Sequence, residues 1–430
     1  MYLSKIILIL VITACISVQA YSATTLDSLV EETLQNNPDI NSAKARWDAS
    51  SSRPSQEGSL PNPMIGVSWQ NVGFDSITLD EIPNSMLRFP VSQEIPFPGK
   101  LSTKENASRE ESRAMGKVYD ATVRSVVSQL KQTYFDWAFV VKSIEIVKRN
   151  KQLLEKFAEI SKTKYEVGKG IQQDVVKAQV EVSKLMEELL FLNEKKKVIE
   201  ARIIQLLNRD ITAPLGEPED LERFPVKVNM PDLMKVAEEN APMLKIKENL
   251  IERDEESLKL ARKQYYPDFV VSASPGLMGR SGGGYDGIWE ISLGLKVPLY
   301  FWRKEKFGVQ EATMNLDASK NDFNAEKQSL FFKIREQYLS IETTEKLIDL
   351  YKNGIIPQSR LSLESAMSGY QVGDVDFLTL MDNLVTLYQF EREYYRQLAE
   401  NQKSLAVLEE LSGAEFNNYT DSTINKERSK

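Results

Sequence analysis

The chain has 430 residues, a formal net charge of −8, one cysteine and no histidine. Negative mean hydropathy excludes a bundle of apolar transmembrane helices, each of which needs about 20 apolar residues. The missing histidine removes the commonest general base and metal ligand, and the acidic balance leaves no basic surface to hold nucleic acid.

At the N-terminus Lys5 precedes the apolar run Ile6 to Ala14 and then a stretch of small residues. This pattern predicts a secretory signal over residues 1–20, with Val18-Gln19-Ala20 as the cleavage site. Ile12-Thr13-Ala14-Cys15 also resembles a bacterial lipobox, in which Cys15 becomes the lipidated first residue of the mature chain. Both readings stand, and in either the mature chain has no disulfide in an oxidising compartment.

Four short segments alternate between apolar and polar residues. Ile65, Val67 and Trp69 lie in the first, and Leu87, Phe89 and Val91 in the second. Phe269, Val271 and Ala273 mark the third; Trp289, Ile291, Leu293, Leu295 and Val297 mark the fourth. Strict alternation predicts strands with one apolar and one polar face, each long enough to cross a bilayer. The runs pair into hairpins over about 64–96 and 268–298, the second turning at Ser281-Gly282-Gly283-Gly284. Trp69, Phe89, Trp289, Tyr300, Phe301 and Trp302 lie near strand ends, as an interfacial aromatic girdle requires.

The rest reads as long helix. Residues 100–166 hold no proline and one glycine, Gly116, which predicts a helix about 100 Å long at ~1.5 Å per residue. Ala178, Val182, Leu185, Leu189, Leu192, Ile199, Ile203 and Leu206 then form a heptad seam interrupted at Lys196. Pro214, Gly216, Pro218 and Pro225 make 209–230 a connector. Further helices are predicted from about 302 to 367 and from about 377 to 411. The polar residues 413–430 read as a disordered tail.

The chain also repeats itself. Leu29 through Pro38 matches Leu233 through Pro242, and nearly the same spacing carries Pro63 onto Pro267, Lys100 onto Lys304 and Pro96 onto Pro298. Tyr165-Glu166-Val167-Gly168 likewise matches Tyr370-Gln371-Val372-Gly373. The expected organisation is a first repeat over 26–208 with a helix pair at 100–208, the connector, then a second repeat over 231–412 with a helix pair at 302–412. The fold class is mainly α with a membrane β-barrel. Four strands cannot close a barrel, and lipid does not tolerate an open sheet edge, so several copies must combine. A larger barrel leaves a passage, which the long helices extend; a conduit follows.

This pattern resembles the TolC family of outer-membrane efflux proteins, over about Leu26 to Gly413. The most specific stretches are Tyr165 to Gly168 with Asp174-Val175 and Ala178, and Tyr370, Val372 and Gly373 with Met381-Asp382 and Thr386-Leu387-Tyr388. Ser92 through Lys100 is similar to the strand-to-helix junction of the metal-exporting branch. The resemblance implies a homotrimer in the outer membrane of a Gram-negative bacterium. Its twelve strands form one barrel, and its helices form a tunnel across the periplasm. The partners implied are outer-membrane lipid, a periplasmic adaptor (membrane fusion) protein and an inner-membrane pump of RND or ABC type. It implies no cofactor, no metal site and no catalytic residue, and the sequence offers no phosphate loop, nucleophile elbow or metal constellation.

The resemblance also assigns residues. Tyr165, Gly168, Asp174, Tyr370 and Gly373 form the tips that an adaptor grips, with Asp174 hydrogen-bonding Tyr370 as a latch. The family's arginine after the second-tip glycine is absent, since that stretch reads Gly373-Asp374-Val375-Asp376. Asp382 matches one ring of constriction aspartates. Thr379 occupies the other position, so the second ring of the gate is missing unless Asp374 or Asp376 replaces it. Such rings favour cations. Two other readings of function remain: the outer-membrane component of type I protein secretion, and a periplasmic coiled-coil scaffold or adaptor that forms no channel.

Overall fold

A computed structural model describes residues 24–73, 77–79, 82–223, 229–280 and 282–416. The expected signal peptide, Cys15, Ser281 and the tail beyond 416 lie outside the described residues. The chain divides into two compact units. One comprises Met1–Asn41, Thr122–Glu239 and Phe331–Lys430; the other comprises Ser42–Ala121 and Asn240–Leu330.

Three short helices come first: α1 (Leu26–Asn36), α2 (Pro38–Ser51) and α3 (Arg53–Glu57). The Thr25 side chain caps α1 by accepting from the Ser28 N–H. Asn37 ends it and opens α2, its Oδ1 accepting from the Asp39 N–H at 2.9 Å. Its buried Nδ2 donates to the Leu206 carbonyl at 2.8 Å. The strands β1 (Met64–Ile65), β2 (Ser68–Gln70), β3 (Met86–Arg88) and β4 (Val91–Ile95) follow, then α4 (Lys100–Glu166) and α5 (Gln172–Leu206). After the connector come α6 (Met230–Asn240), α7 (Pro242–Lys263), β5 (Asp268–Gly279), β6 (Tyr285–Lys296) and α8 (Glu305–Leu350). A π turn (Tyr351–Ile355) leads into α9 (Ile356–Val372), and α10 (Phe377–Ser412) completes the order.

The long helices bury residues at heptad spacing. Ala178, Leu185, Leu192, Ile199 and Leu206 are buried on α5, while Val182 and Leu189 of the expected seam are half-buried. On α4 the buried rows are Leu130, Trp137, Ile144 and Val140, Val147, Leu154, Ser161. Ile334, Ile341 and Ile348 continue the period on α8, and Leu398 and Leu405 on α10. A residue repeated every seventh position keeps one face of a helix against its neighbour. The expected helix over about 302–367 runs from Glu305 to Val372 and widens at Tyr351–Ile355. Pro357 lacks the N–H that would bond one turn back and its ring crowds that carbonyl, and the wider π turn just before it relieves both.

The hairpins pair into one sheet, with strand order β1-β4-β5-β3-β2 and β6 on the other side of β5. All pairs are antiparallel. Each strand of the first hairpin is in two pieces. Pro90 carries no N–H, and at this break the Gly66 N–H donates to the Pro90 carbonyl at 2.9 Å while Phe89 donates to Pro275. Four strand lines therefore cross the sheet. The register sets Phe269 opposite Leu295, Val271 opposite Leu293 and Ala273 opposite Ile291, giving one apolar face. The opposite face is polar. Ser272 hydrogen-bonds Ser292 at 2.6 Å, Lys296 pairs with Glu94 at 2.9 Å, and Arg88 pairs with Glu290. The proposed girdle residues Trp69, Phe89, Trp289, Tyr300, Phe301 and Trp302 are all exposed. No helix among the described residues is long and apolar enough to cross a membrane.

Candidate functional site at the two helical tips

Tyr165 through Gly168 end α4. Gly168 adopts φ +72°, its N–H donates to the Tyr165 carbonyl at 3.0 Å, and the Lys169 N–H donates to Lys164 at 2.8 Å. This is a Schellman stop, which needs a left-handed residue and so favours glycine. Tyr165 contributes its backbone carbonyl to the turn, while its side chain is exposed. Asp174 sits in the first turn of α5, after an extended Ile171. The helix dipole favours a carboxylate there. Burial pushes the Asp174 carboxyl up from its ordinary value, Asp376 adds to the rise, and Lys164 opposes it.

The second tip stops in a related way. Gly373 has φ +94°, and the N–H groups of both Gly373 and Asp374 donate to the Gly369 carbonyl at 2.9 Å. Asp376 then starts α10: its Oδ1 accepts from the Thr379 N–H at 2.7 Å. The Asp376 carboxylate, a gate candidate in the sequence, is thus engaged as a helix cap. Phe377 is buried beside Tyr370, with ring centroids 5.7 Å apart. Asp374 and Asp382 are exposed, Asp382 following the buried Met381. No group of three or more acidic, histidine or cysteine residues converges into a metal-holding cluster among the described residues.

Between the tips, the expected hydrogen bond from Tyr370 to Asp174 does not form. The Tyr370 hydroxyl lies close to the buried Ser161 instead. Burial pushes the Tyr370 phenol up, and the nearby Asp174 charge adds to the rise while Ser161 opposes it. The residue that reaches Tyr370 from the first tip is Lys164. Its Nζ donates to the Tyr370 carbonyl at 2.7 Å and lies 3.8 Å from the ring centroid. Sequence reasoning passed over Lys164 because a lysine in the last turn of a helix is ordinary, and nothing in its spacing singles it out.

The pattern described as "Outer membrane efflux protein" matches residues 29–209 and 233–414. The chain belongs to the outer membrane efflux protein family. It is accordingly an outer-membrane efflux channel that extends into the periplasm, and its relatives are channels rather than enzymes. The cobalt-zinc-cadmium resistance protein CzcC of Cupriavidus metallidurans is 18% identical over 405 residues, covering 92% of this chain and 91% of that one. Among solved structures, VceC of Vibrio cholerae superposes with a TM-score of 0.76 at 19% identity, covering 91% of this chain and 97% of that one. The Campylobacter jejuni CmeC outer membrane channel gives 0.78 at 16% identity, covering 94% and 88%. These two likenesses establish the fold.

Proposed function

We propose that three copies of the chain form a passive exit duct of a tripartite efflux system, with twelve strands in one barrel and the tips facing a periplasmic adaptor and an inner-membrane pump. The observation that carries this reading is the sheet. Its apolar face is exposed, and neither β6 nor β2 has a partner on its outer side among the described residues. Lipid does not accept such edges, and further copies of the same sheet supply the missing partners. The polar face, with Arg88–Glu290 and Lys296–Glu94, then turns inward to a wet passage.

Metal ions or small toxic compounds are the proposed cargo. The similarity to CzcC, over nine-tenths of both chains, and the junction at Ser92 to Lys100 support ions. At the mouth Asp382 and Asp374, both exposed, supply the cation-favouring charge. The test is single-channel recording of the purified chain in a planar bilayer. The wild type is expected to conduct with a preference for cations, and Asp382→Ala to lose part of that preference. A wild type that forms no channels overturns the duct; an unchanged selectivity in Asp382→Ala removes Asp382 from the gate.

A further inference from the structure

We propose that a cavity bounded by α1, α4, α10 and the connector binds a small organic cation, one with N–H donors and an apolar body. The site goes beyond the duct reading and does not depend on it, since all its residues belong to one chain and its test reads binding rather than conduction.

The cavity lies wholly within the first compact unit and holds about 220 Å³. A water molecule takes up about 30 Å³ of liquid, so the space is that of several waters or one small molecule. Tyr134, Phe135 and Leu405 give it buried apolar walls. The Tyr134 hydroxyl is already engaged, donating to the Thr24 carbonyl at 3.1 Å and accepting from the Glu219 N–H at 3.0 Å.

Two acceptors on the cavity lining have no donor among the described residues. Gln402 is 2% exposed, and its Oε1 is buried without a hydrogen bond, while its Nε2 donates to Asn401 at 3.4 Å. On α1, the Asp27 Oδ1 is likewise buried and unpaired. Buried polar atoms in folded proteins nearly always have a partner, so a pair of bare acceptors on one cavity points to a donor that comes from outside.

The charges around them point the same way. Lys131 also lines the cavity, but its Nζ donates to Glu409 at 2.6 Å, and the Glu409 carboxylate accepts from the Phe416 N–H at 3.0 Å as well. That ion pair is neutral as a unit and leaves Asp27 as the charge in excess. Burial pushes the Asp27 carboxyl up from its ordinary value, and Lys131 opposes the rise. Glu219, Asp220 and Glu222, exposed on the connector, add negative charge to the same lining. No group of three or more acidic, histidine or cysteine residues among the described residues is placed to hold a metal ion. An ammonium on an aromatic or short aliphatic body meets each demand: donors for Gln402 and Asp27, positive charge for the carboxylates, and hydrocarbon for the walls.

The test is calorimetric titration of the purified full chain in detergent, with benzylamine as the probe and benzyl alcohol as its uncharged counterpart. Benzylamine is expected to bind the wild type, and benzyl alcohol to bind roughly tenfold more weakly or not at all, as the loss of a charge-assisted hydrogen bond implies. Asp27→Asn and Gln402→Met should each weaken benzylamine binding several-fold. Neither variant should lower stability in urea unfolding, since each removes or neutralises a group that has no partner in the free chain. No heat of binding from benzylamine, or equal affinity for the two probes, overturns the proposal on the wild type alone, whether or not a variant folds. Unchanged benzylamine affinity in either folded variant also overturns it, because the probe then binds elsewhere on the acidic surface.

Discussion

Asp376 carries two duties that substitution can separate. Its carboxylate caps α10 through the Thr379 N–H, and its charge lies near Asp174. Asparagine caps a helix about as well as aspartate, whereas alanine does not. Asp376→Ala is therefore expected to cost about 1 kcal/mol in denaturant unfolding, and Asp376→Asn almost nothing. Any effect on ion selectivity that appears in both variants belongs to the charge. Equal stability of the two variants would remove the cap from the account. At this scale the sequence was an uneven guide. Gly168 and Gly373 were readable as turn residues because the required backbone conformation admits few others. The fate of Tyr370 was not readable. A tyrosine has several partners within reach, and the choice of Lys164 over Asp174 depends on how α4 and α9 pack.

Among the elements, period decided what could be read. Alternation located both hairpins, and the heptad located the α5 seam, because each repeat puts like residues on one face whatever lies opposite. Breaks in that regularity were harder to see. Pro90 interrupts the first hairpin without ending its ladder, since Gly66 and Phe89 still make backbone bonds beside it. Pro357 lies inside the stretch that reads as one helix, and a single proline does not reveal whether a helix kinks, stops or widens into a π turn. The two faces of α5 give a quantitative contrast. Leu185 is 5% exposed and Leu190 is 74% exposed. Leu185→Ala should cost about 2–5 kcal/mol, lost contact and cavity together. Leu190→Ala should stay within about 0.5 kcal/mol in urea unfolding of the same chain. Equal costs at the two positions would mean that the seam does not hold the helix.

For the whole molecule, the question is where the apolar surface goes. Leu293 is 81% exposed, the middle of a row with Trp289, Ile291 and Leu295 on β6. A lipid-facing arginine at mid-depth costs about 2–4 kcal/mol in barrels of this kind. Leu293→Arg should therefore lower the amount of protein recovered in the outer-membrane fraction. Ser292→Arg, on the polar face one residue away, should lower it far less. Equal losses would place neither face against lipid. Composition concealed this membrane contact, because a few short alternating strands barely move an average taken over hundreds of helical residues.

The open edges of the sheet also carry a genetic consequence. If the proposed ring of three identical chains forms, it is as sound as its weakest member. If a chain damaged on the β6 edge is made alongside an equal amount of intact chain and both mix freely, roughly one ring in eight contains intact chains alone. A defect at that edge should thus behave as dominant, suppressing efflux in cells that still carry a good copy. Damage that stops the chain from folding before it meets its partners should behave as recessive.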